Sequence, residues 1–381
     1  MFVLSTPTFA TRPSYAHDRT ILAPVPGVST EQIGQLPLGR LDLMDVRILG
    51  RKFGEGSLFS AVYVPLRRTR GDALHLFNQV SFTAQRWGVT FEHCLPWATR
   101  LRPDHPLQTT LRKPLFSPKC KFVIGISQWA RQFLVDHMTP EDAATIEHKL
   151  FVVPPFQAVR GAQPRTALAE DEPIILGFVG RSFFRKGGEA VLRAVERSGE
   201  ALNMRALIIS GAASNDYLTG CVTEDHINRV RERLSAHSRI AWYQGLSNDK
   251  VMAELAAATI GALPTMSDTY GYSSLEAMSL GLPIIGTNVQ AGSEIVTADV
   301  GWRLDLELGA DGFWAHHLGL TWDRYRDTVD YLATGIENAV RQLRSEPSRL
   351  PQLSLGALRR VRDAHNSERA TKMLAILSTT L

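Results

Sequence analysis

From Ile174 onward the chain repeats one pattern: a short apolar run, a turn rich in glycine or polar residues, then a stretch with helical spacing. The runs are Ile174–Gly180, Met204–Ser210, Ile240–Gly245, Ile260–Thr265 and Leu282–Thr287. Helical patterns separate them, from about Gly187 to Arg197, across Glu224–Ala236, across Lys250–Ala257 and from about Ser273. Strands joined through helices pair in parallel by right-handed crossovers, and strands apolar on both faces need helices on both sides. A doubly wound α/β sheet is therefore predicted for this half. From about Asp323 the pattern is helical only, ending in Ser367–Leu377.

The first half carries a similar but less regular signal. Ala73–Asn78, Gly88–Phe91, Lys121–Ser127 and Leu150–Pro155 read as buried strands, the last stopped by two prolines, and residues 19–70 have room for two or three more. Arg160–Glu172 is polar and aperiodic, as linkers are. At 381 residues the chain exceeds what one core usually supports, so two domains are expected. The reading is an α/β protein of two Rossmann-like domains facing a cleft. Residues 1–158 form the first, 159–172 a linker and 173–360 the second, with 361–381 a helix returning to the first.

Composition excludes several classes. Cys94, Cys120 and Cys221 lie far apart with no CxxC pair, so neither a disulfide scaffold nor a structural zinc site is expected, and a reducing cytoplasm is the expected setting. The longest apolar stretch, around Leu255–Met266, is too short to span a bilayer, and MFVLSTPTFATR reads as a first core strand rather than a signal peptide. Residues 1–160 hold 19 basic and 12 acidic residues, so the first half is the positive one. Arg67, Arg68 and Arg70 cluster, with Arg112, Lys113, Lys119 and Lys121 more spread. Such a surface suits a peripheral contact with an anionic membrane face or a phosphorylated substrate. No aromatic-interleaved basic strand supports nucleic acid as a partner.

Two loops carry the chemistry. In the first, the strand ending at Gly180 is followed by Arg181, Lys186 and the pair Gly187-Gly188. Glycine lets backbone approach a ligand, a helix start offers amides and a positive dipole end, and the cations add full charge, which together suit a diphosphate. The spacing is not the GxGxxG dinucleotide fingerprint, which disfavours an NAD dehydrogenase. In the second, Pro264–Thr265 ends a strand and a polar loop carries Asp268. Gly271 then permits an unusual turn, Ser273 or Ser274 is placed to cap the next helix, and Glu276 follows in its first turn. A carboxylate pair eight residues apart can accept hydrogen bonds from two separate sugars, with phosphate at the helix start between them.

The run SDTYGYSSLEAMSLGLPII, Ser267–Ile285, resembles the donor-binding signature of retaining GT-B-fold glycosyltransferases of glycosyltransferase family 4. Gly180-Arg181 with Lys186-Gly187 looks like the family's G-R-…-K-G loop. Trp242–Gly245 and Ala291–Val296 resemble two further segments in family order, and the likeness covers about residues 120–380. It implies that Arg181 and Lys186 hold the donor diphosphate and stabilise the leaving group. By the same resemblance Glu276 would accept from the ribose hydroxyls, Asp268 would meet the transferred sugar, and Gly180, Gly271, Tyr272 and Ser273 would line the donor. No metal and no other cofactor is implied, the donor being a nucleoside-diphosphate sugar, UDP- or GDP-linked. In the first half, Asp72–Asn78 and Val89–His93 resemble family segments, placing either Glu92 or His93 toward the reacting sugar.

Three positions depart from the family pattern. Asp268 replaces a glutamate, Thr269 a glycine, and the opening strand leads into Thr-Pro-Thr-Phe-Ala-Thr in place of a glycine-rich acceptor loop. The resemblance implies a cytoplasmic, retaining, metal-independent transfer of sugar to a carbohydrate or lipid-linked acceptor, as in cell-surface polysaccharide or glycolipid assembly. The departures motivate the alternative of a catalytically weak protein that binds a nucleotide sugar or a partner glycosyltransferase.

Overall fold

The computed structural model describes residues 2–8, 19–20, 23–34, 47–48, 51–52, 61–63, 70–82, 85–97, 101–161, 163–213 and 218–381. The chain divides into two compact units, one of Met1–Phe156 with Asp363–Leu381, the other of Gln157–Arg362.

The strands of unit 1 are β1 (Phe2–Thr8), β2 (Val28–Gly34), β3 (Arg47–Ile48), β4 (Arg51–Lys52), β5 (Val62–Tyr63), β6 (Ala73–Phe77), β7 (Val80–Ser81), β8 (Trp87–Phe91), β9 (Cys120–Gly125) and β10 (Leu150–Val152). Six of them form one parallel sheet in the order β10-β9-β8-β6-β1-β2. β6 and β8 are buried at every position, which is why they read as unbroken apolar runs. Gly88 is small because a Cβ there would lie 2.3 Å from the Phe122 ring. The helix Gln128–Asp136 starts where Ser127 Oγ accepts from the Ala130 amide at 3.0 Å. The last helix, Glu368–Thr380, places Met373, Ile376 and Leu377 in a core cluster with Leu4, Phe122 and Ile124.

Several expectations need correction here. β1 runs through Thr8, so Thr6, Pro7 and Thr8 are strand rather than loop, and Phe9–Thr11 lie outside the described residues. Arg67 and Arg68 lie outside them too. Arg112 is no surface cation: it is buried and donates through Nε to the Leu95 carbonyl at 3.0 Å and through Nη1 to that of His137. The segment read as a linker packs in unit 2. Arg160 and Gly161 donate their amides to the Ser279 carbonyl, and the Arg165 amide donates to Ser354 Oγ at 2.8 Å.

Unit 2 holds β11 (Ile174–Val179), β12 (Met204–Ile209), β13 (Ile240–Tyr243), β14 (Ile260–Leu263), β15 (Ile284–Thr287) and β16 (Gly301–Leu304), the last not anticipated. They form a parallel sheet in the order β13-β12-β11-β14-β15-β16, the doubly wound arrangement whose direction of growth reverses between the first and fourth strands. Ligands in such sheets bind beyond the carboxyl ends of the strands flanking that reversal, here β11 and β14. The helix after β11, Gly188–Arg197, is anchored by the buried Glu189. Its carboxylate shares a 2.9 Å hydrogen bond with His226 Nε2 and accepts from Tyr325 Oη at 2.8 Å. Burial alone would raise the Glu189 pKa, but those two partners and Arg193 outweigh it and hold the carboxyl below its ordinary value. Among the described residues no helix is long and apolar enough to cross a membrane.

Candidate functional site

The loops singled out in the sequence are the ones that follow β11 and β14, so both stand at the reversal point of the unit 2 sheet. They are laced together. The Met266 amide donates to the Arg185 carbonyl at 2.9 Å, and the Arg185 guanidinium donates to the Ser267 carbonyl. Gly187 is the N-cap of Gly188–Arg197 at φ 79°, and a Cβ on it would lie 2.1 Å from the Pro264 carbonyl oxygen. Only glycine satisfies both the left-handed backbone and that approach. A Cβ on Gly180 would sit 2.8 Å from Lys186 Cδ, so its missing side chain leaves room for the lysine stem.

That stem delivers Lys186 Nζ to within 2.8 Å of Asp268 Oδ2, the two side chains being only 19% and 10% exposed. Asp268 Oδ1 accepts from the Gly271 amide at 3.0 Å, which fixes the turn before the next helix. Burial alone would raise the Asp268 pKa. Lys186, Arg185 and the Gly271 amide overcome it and hold the carboxyl at about 2 against an ordinary 3.8. A lowered folded-state pKa means a contribution that is full above the unfolded value and lost as pH falls toward the folded one. The stability margin of the wild type over Asp268→Asn is therefore expected to be on the order of 2 kcal/mol above pH ~5 and to vanish by pH ~2. Urea unfolding of both proteins across that range checks it; a margin independent of pH would overturn it.

The helix after this loop, Tyr272–Ser279, is capped differently from expectation. Gly271 is its N-cap at φ 74°, and neither Ser273 nor Ser274 caps it. Its N-cap, a glycine, offers no side chain to the first amides, and Ser273 Oγ is buried with no hydrogen-bond partner among the described residues, so hydrogen-bonding capacity gathers at the helix start. Glu276 is the fifth residue of the helix rather than part of its first turn. It is buried, and its Oε1 accepts from Asn248 Nδ2 at 2.8 Å. Asn248 opens the helix Asn248–Leu255 beyond β13 and had not been singled out; only contact across the fold reveals it. Arg181 is exposed and makes no ion pair among the described residues. Its charge is carried on the same loop as Lys186. Tyr272 lies beside Tyr270, ring centroids 5.9 Å apart.

Glu92 and His93 follow β8 in unit 1. Glu92 is buried and tied to Asn78 at the end of β6, its amide donating to Asn78 Oδ1 at 3.0 Å. Asn78 takes φ 58°, a left-handed conformation asparagine tolerates. His93 stacks on Trp129, centroids 5.5 Å apart, and packs against Phe133 at 4.6 Å. His75, inside the Asp72–Asn78 segment that resembles the family, is a core histidine sharing a 2.9 Å hydrogen bond with Thr90 Oγ1. Unit 1 thus presents a fixed carboxylate and a stacked imidazole at one strand end. Among the described residues no group of three or more His, Cys, Asp or Glu side chains is placed to hold a metal.

Residues 160–313 match the family model of glycosyl transferases group 1. The chain is 23% identical over 295 residues to a D-inositol 3-phosphate glycosyltransferase of Mycobacterium marinum, covering 73% of this chain and 61% of that protein. It is 24% identical over 296 residues to one of Mycobacterium tuberculosis, covering 73% and 59%. The chain therefore spans about three fifths of the length of these curated relatives. Among solved structures it resembles Anabaena HepE in complex with UDP, at TM-score 0.61 and 12% identity over all of both chains. Sucrose-phosphate synthase from Thermosynechococcus elongatus gives 0.57 and 14%, over 100% of this chain and 99% of that one. The fold is GT-B, and the likeness to glycosyl transferases group 1 expected from the sequence is found, carried by unit 2.

Proposed function

We propose that this protein is a retaining, metal-independent glycosyltransferase that moves a sugar from a nucleoside-diphosphate sugar, UDP-linked in the first instance, to an acceptor hydroxyl. The single observation that supports it most is the pairing of Lys186 with Asp268 at the reversal point of the unit 2 sheet, beside the glycine-capped helix start at Gly271. In this reading the diphosphate lies between the Gly180–Gly187 loop and the Tyr272–Ser279 helix start. Arg181 and Lys186 neutralise it, Ser273 Oγ donates to it, and Glu276, steadied by Asn248, accepts from the ribose hydroxyls. The bond from the sugar's anomeric carbon to the β-phosphate oxygen breaks as the acceptor oxygen bonds to the same face. The acceptor proton passes to the leaving phosphate. Asp268 accepts from a hydroxyl of the moving sugar, and Glu92 or His93 in unit 1 orients the acceptor. The charges of Arg181 and Lys186 supply the stabilisation that a divalent ion supplies in other sugar transferases. We assign the work to a cytoplasmic protein in cell-surface polysaccharide or glycolipid assembly, the basic unit 1 meeting a lipid-linked acceptor at the membrane face.

One observation favours a second reading. Both Asp268 oxygens are engaged inside the protein, one by Lys186 and one by the Gly271 amide, as in a loop that binds donor without turning it over. Thermal unfolding against UDP, GDP, ADP and CMP, repeated with Glu276→Ala and Arg181→Ala, tests the donor site. A ligand at about 100 times its dissociation constant adds about 2.7 kcal/mol, several degrees for a protein of this size. One nucleoside diphosphate should raise the midpoint, and both variants should lose the rise. No rise with any nucleotide would overturn the donor site. Binding without sugar release from any donor, across a panel of acceptors, would favour the second reading.

A further inference from the structure

Unit 1 contains a cavity of about 200 Å³ that includes neither Glu92 nor His93. It lies on the β6-β1-β2 side of the sheet, against Leu4 of β1, Thr30 of β2 and His75 of β6, and Thr20 with Arg369 and Met373 of the last helix also line it. Arg369 is 2% exposed. Its Nη2 donates to the Thr20 carbonyl at 2.7 Å, while Nε and Nη1 are buried with no acceptor among the described residues. No acidic side chain among the described residues pairs with it.

A guanidinium is almost never fully buried without a counter-charge, because removing it from water is costly and a hydrophobic residue of similar volume would pack there at lower cost. Burial pulls the Arg369 pKa down to about 10, so the side chain is still a cation at neutral pH. The remaining N–H groups therefore call for an anion with several acceptor oxygens. Thr30 also lines the cavity and carries a hydroxyl that can donate. The space corresponds to roughly six waters at ~30 Å³ each, below the ~300 Å³ at which pockets for drug-sized ligands begin. It suits a small tetrahedral oxyanion, not a nucleotide sugar.

We propose that unit 1 binds a phosphate group in this cavity, with Arg369 as its cation and Thr20 and Thr30 at its edge. Bound there, the anion ties the last helix to β1 and β2. The phosphate arrives either as the free ion or as the head of a small ester, and both present the same oxygens.

The test uses the full chain in a buffer free of phosphate and sulfate. Inorganic phosphate and glycerol phosphate are titrated separately by calorimetry and by thermal unfolding, against sodium chloride at matched ionic strength. Wild type should bind phosphate and unfold several degrees higher. Arg369→Met should lose the response, and without phosphate it should unfold no lower than wild type, since the unpaired cation is gone. Thr30→Val, which keeps the cation, should bind phosphate more weakly, up to about tenfold. A response to glycerol phosphate but not to the free ion would assign the ester as the source; the converse would assign the ion. An unchanged rise with UDP in Arg369→Met would separate this site from the donor site. Equal phosphate responses in wild type and Arg369→Met would overturn the proposal, as would none in either, which would leave the cavity to water. Marked destabilisation of Arg369→Met in phosphate-free buffer would overturn it as well, by showing that the protein itself satisfies the arginine.

Discussion

Lys186→Met should lower both stability and donor handling, and the two losses should separate on a second substitution. Removing the ammonium leaves the Asp268 carboxylate only 10% exposed and without its 2.8 Å partner. Breaking a buried ion pair from one side costs ~3–5 kcal/mol, and the partial exposure here puts the expected loss near the low end, about 3 kcal/mol. If Lys186 also stabilises the leaving diphosphate, kcat should fall about 10²–10³-fold, the scale of losing one preorganised charge-stabilising donor. Adding Asp268→Asn should recover most of the stability, because the stranded charge is gone, and none of the turnover. Denaturant unfolding with sugar-release kinetics on the two single variants and the double completes the cycle. Full turnover in Lys186→Met would remove the lysine from the reaction, and unchanged stability would mean the pair contributes nothing to the fold.

Gly187→Ala should be nearly as damaging without altering any charge. The residue sits at φ 79° with the Pro264 carbonyl oxygen 2.1 Å from where a Cβ would be. Strain from the left-handed backbone and the forced separation of the two loops together should cost about 2–4 kcal/mol. The nucleotide-dependent rise in unfolding temperature should disappear as well, since Lys186 and Asp268 are carried on the two separated loops. Gly199→Ala is the control. Gly199 has an ordinary negative φ and no atom of the described residues within 4 Å of where a Cβ would be, so its effect should stay within about 0.5 kcal/mol. Equal effects at the two glycines would mean that loop contact at Gly187 is not what shapes the site.

The unit 2 sheet was legible chiefly because its four central strands, β11, β12, β14 and β15, are mostly or wholly buried. Five of its six strands were read within about two residues of their ends, while Gly301–Leu304 was missed. That strand is four residues long at the sheet edge, with an exposed Arg303 at its centre, so it has no apolar run to show. In unit 1 the opening strand was read, but the second was harder: VSTEQIG alternates polar residues along an edge and looks like loop. Within the site, residue types and spacing identified Lys186, Asp268 and Glu276 as candidates. They did not reveal that Lys186 and Asp268 contact each other, or that Asn248 holds Glu276, since such pairings join residues 82 and 28 positions apart in sequence. The capping error has a simpler cause. A serine after glycine invites the usual hydroxyl cap, but the left-handed Gly271 takes that position and leaves Ser273 Oγ for something else.

The last helix belongs to unit 1 although all of unit 2 separates it from the rest of that unit. On the ribosome the two units therefore mature in the reverse of their sequence order. Unit 2 is one continuous stretch and can close once residue 362 has left the exit tunnel. Unit 1, made first, must wait with Leu4, Phe122 and Ile124 uncovered until Met373, Ile376 and Leu377 emerge. Throughout the synthesis of unit 2 its sheet presents an apolar face to solvent, and that interval is when the nascent chain most needs a chaperone.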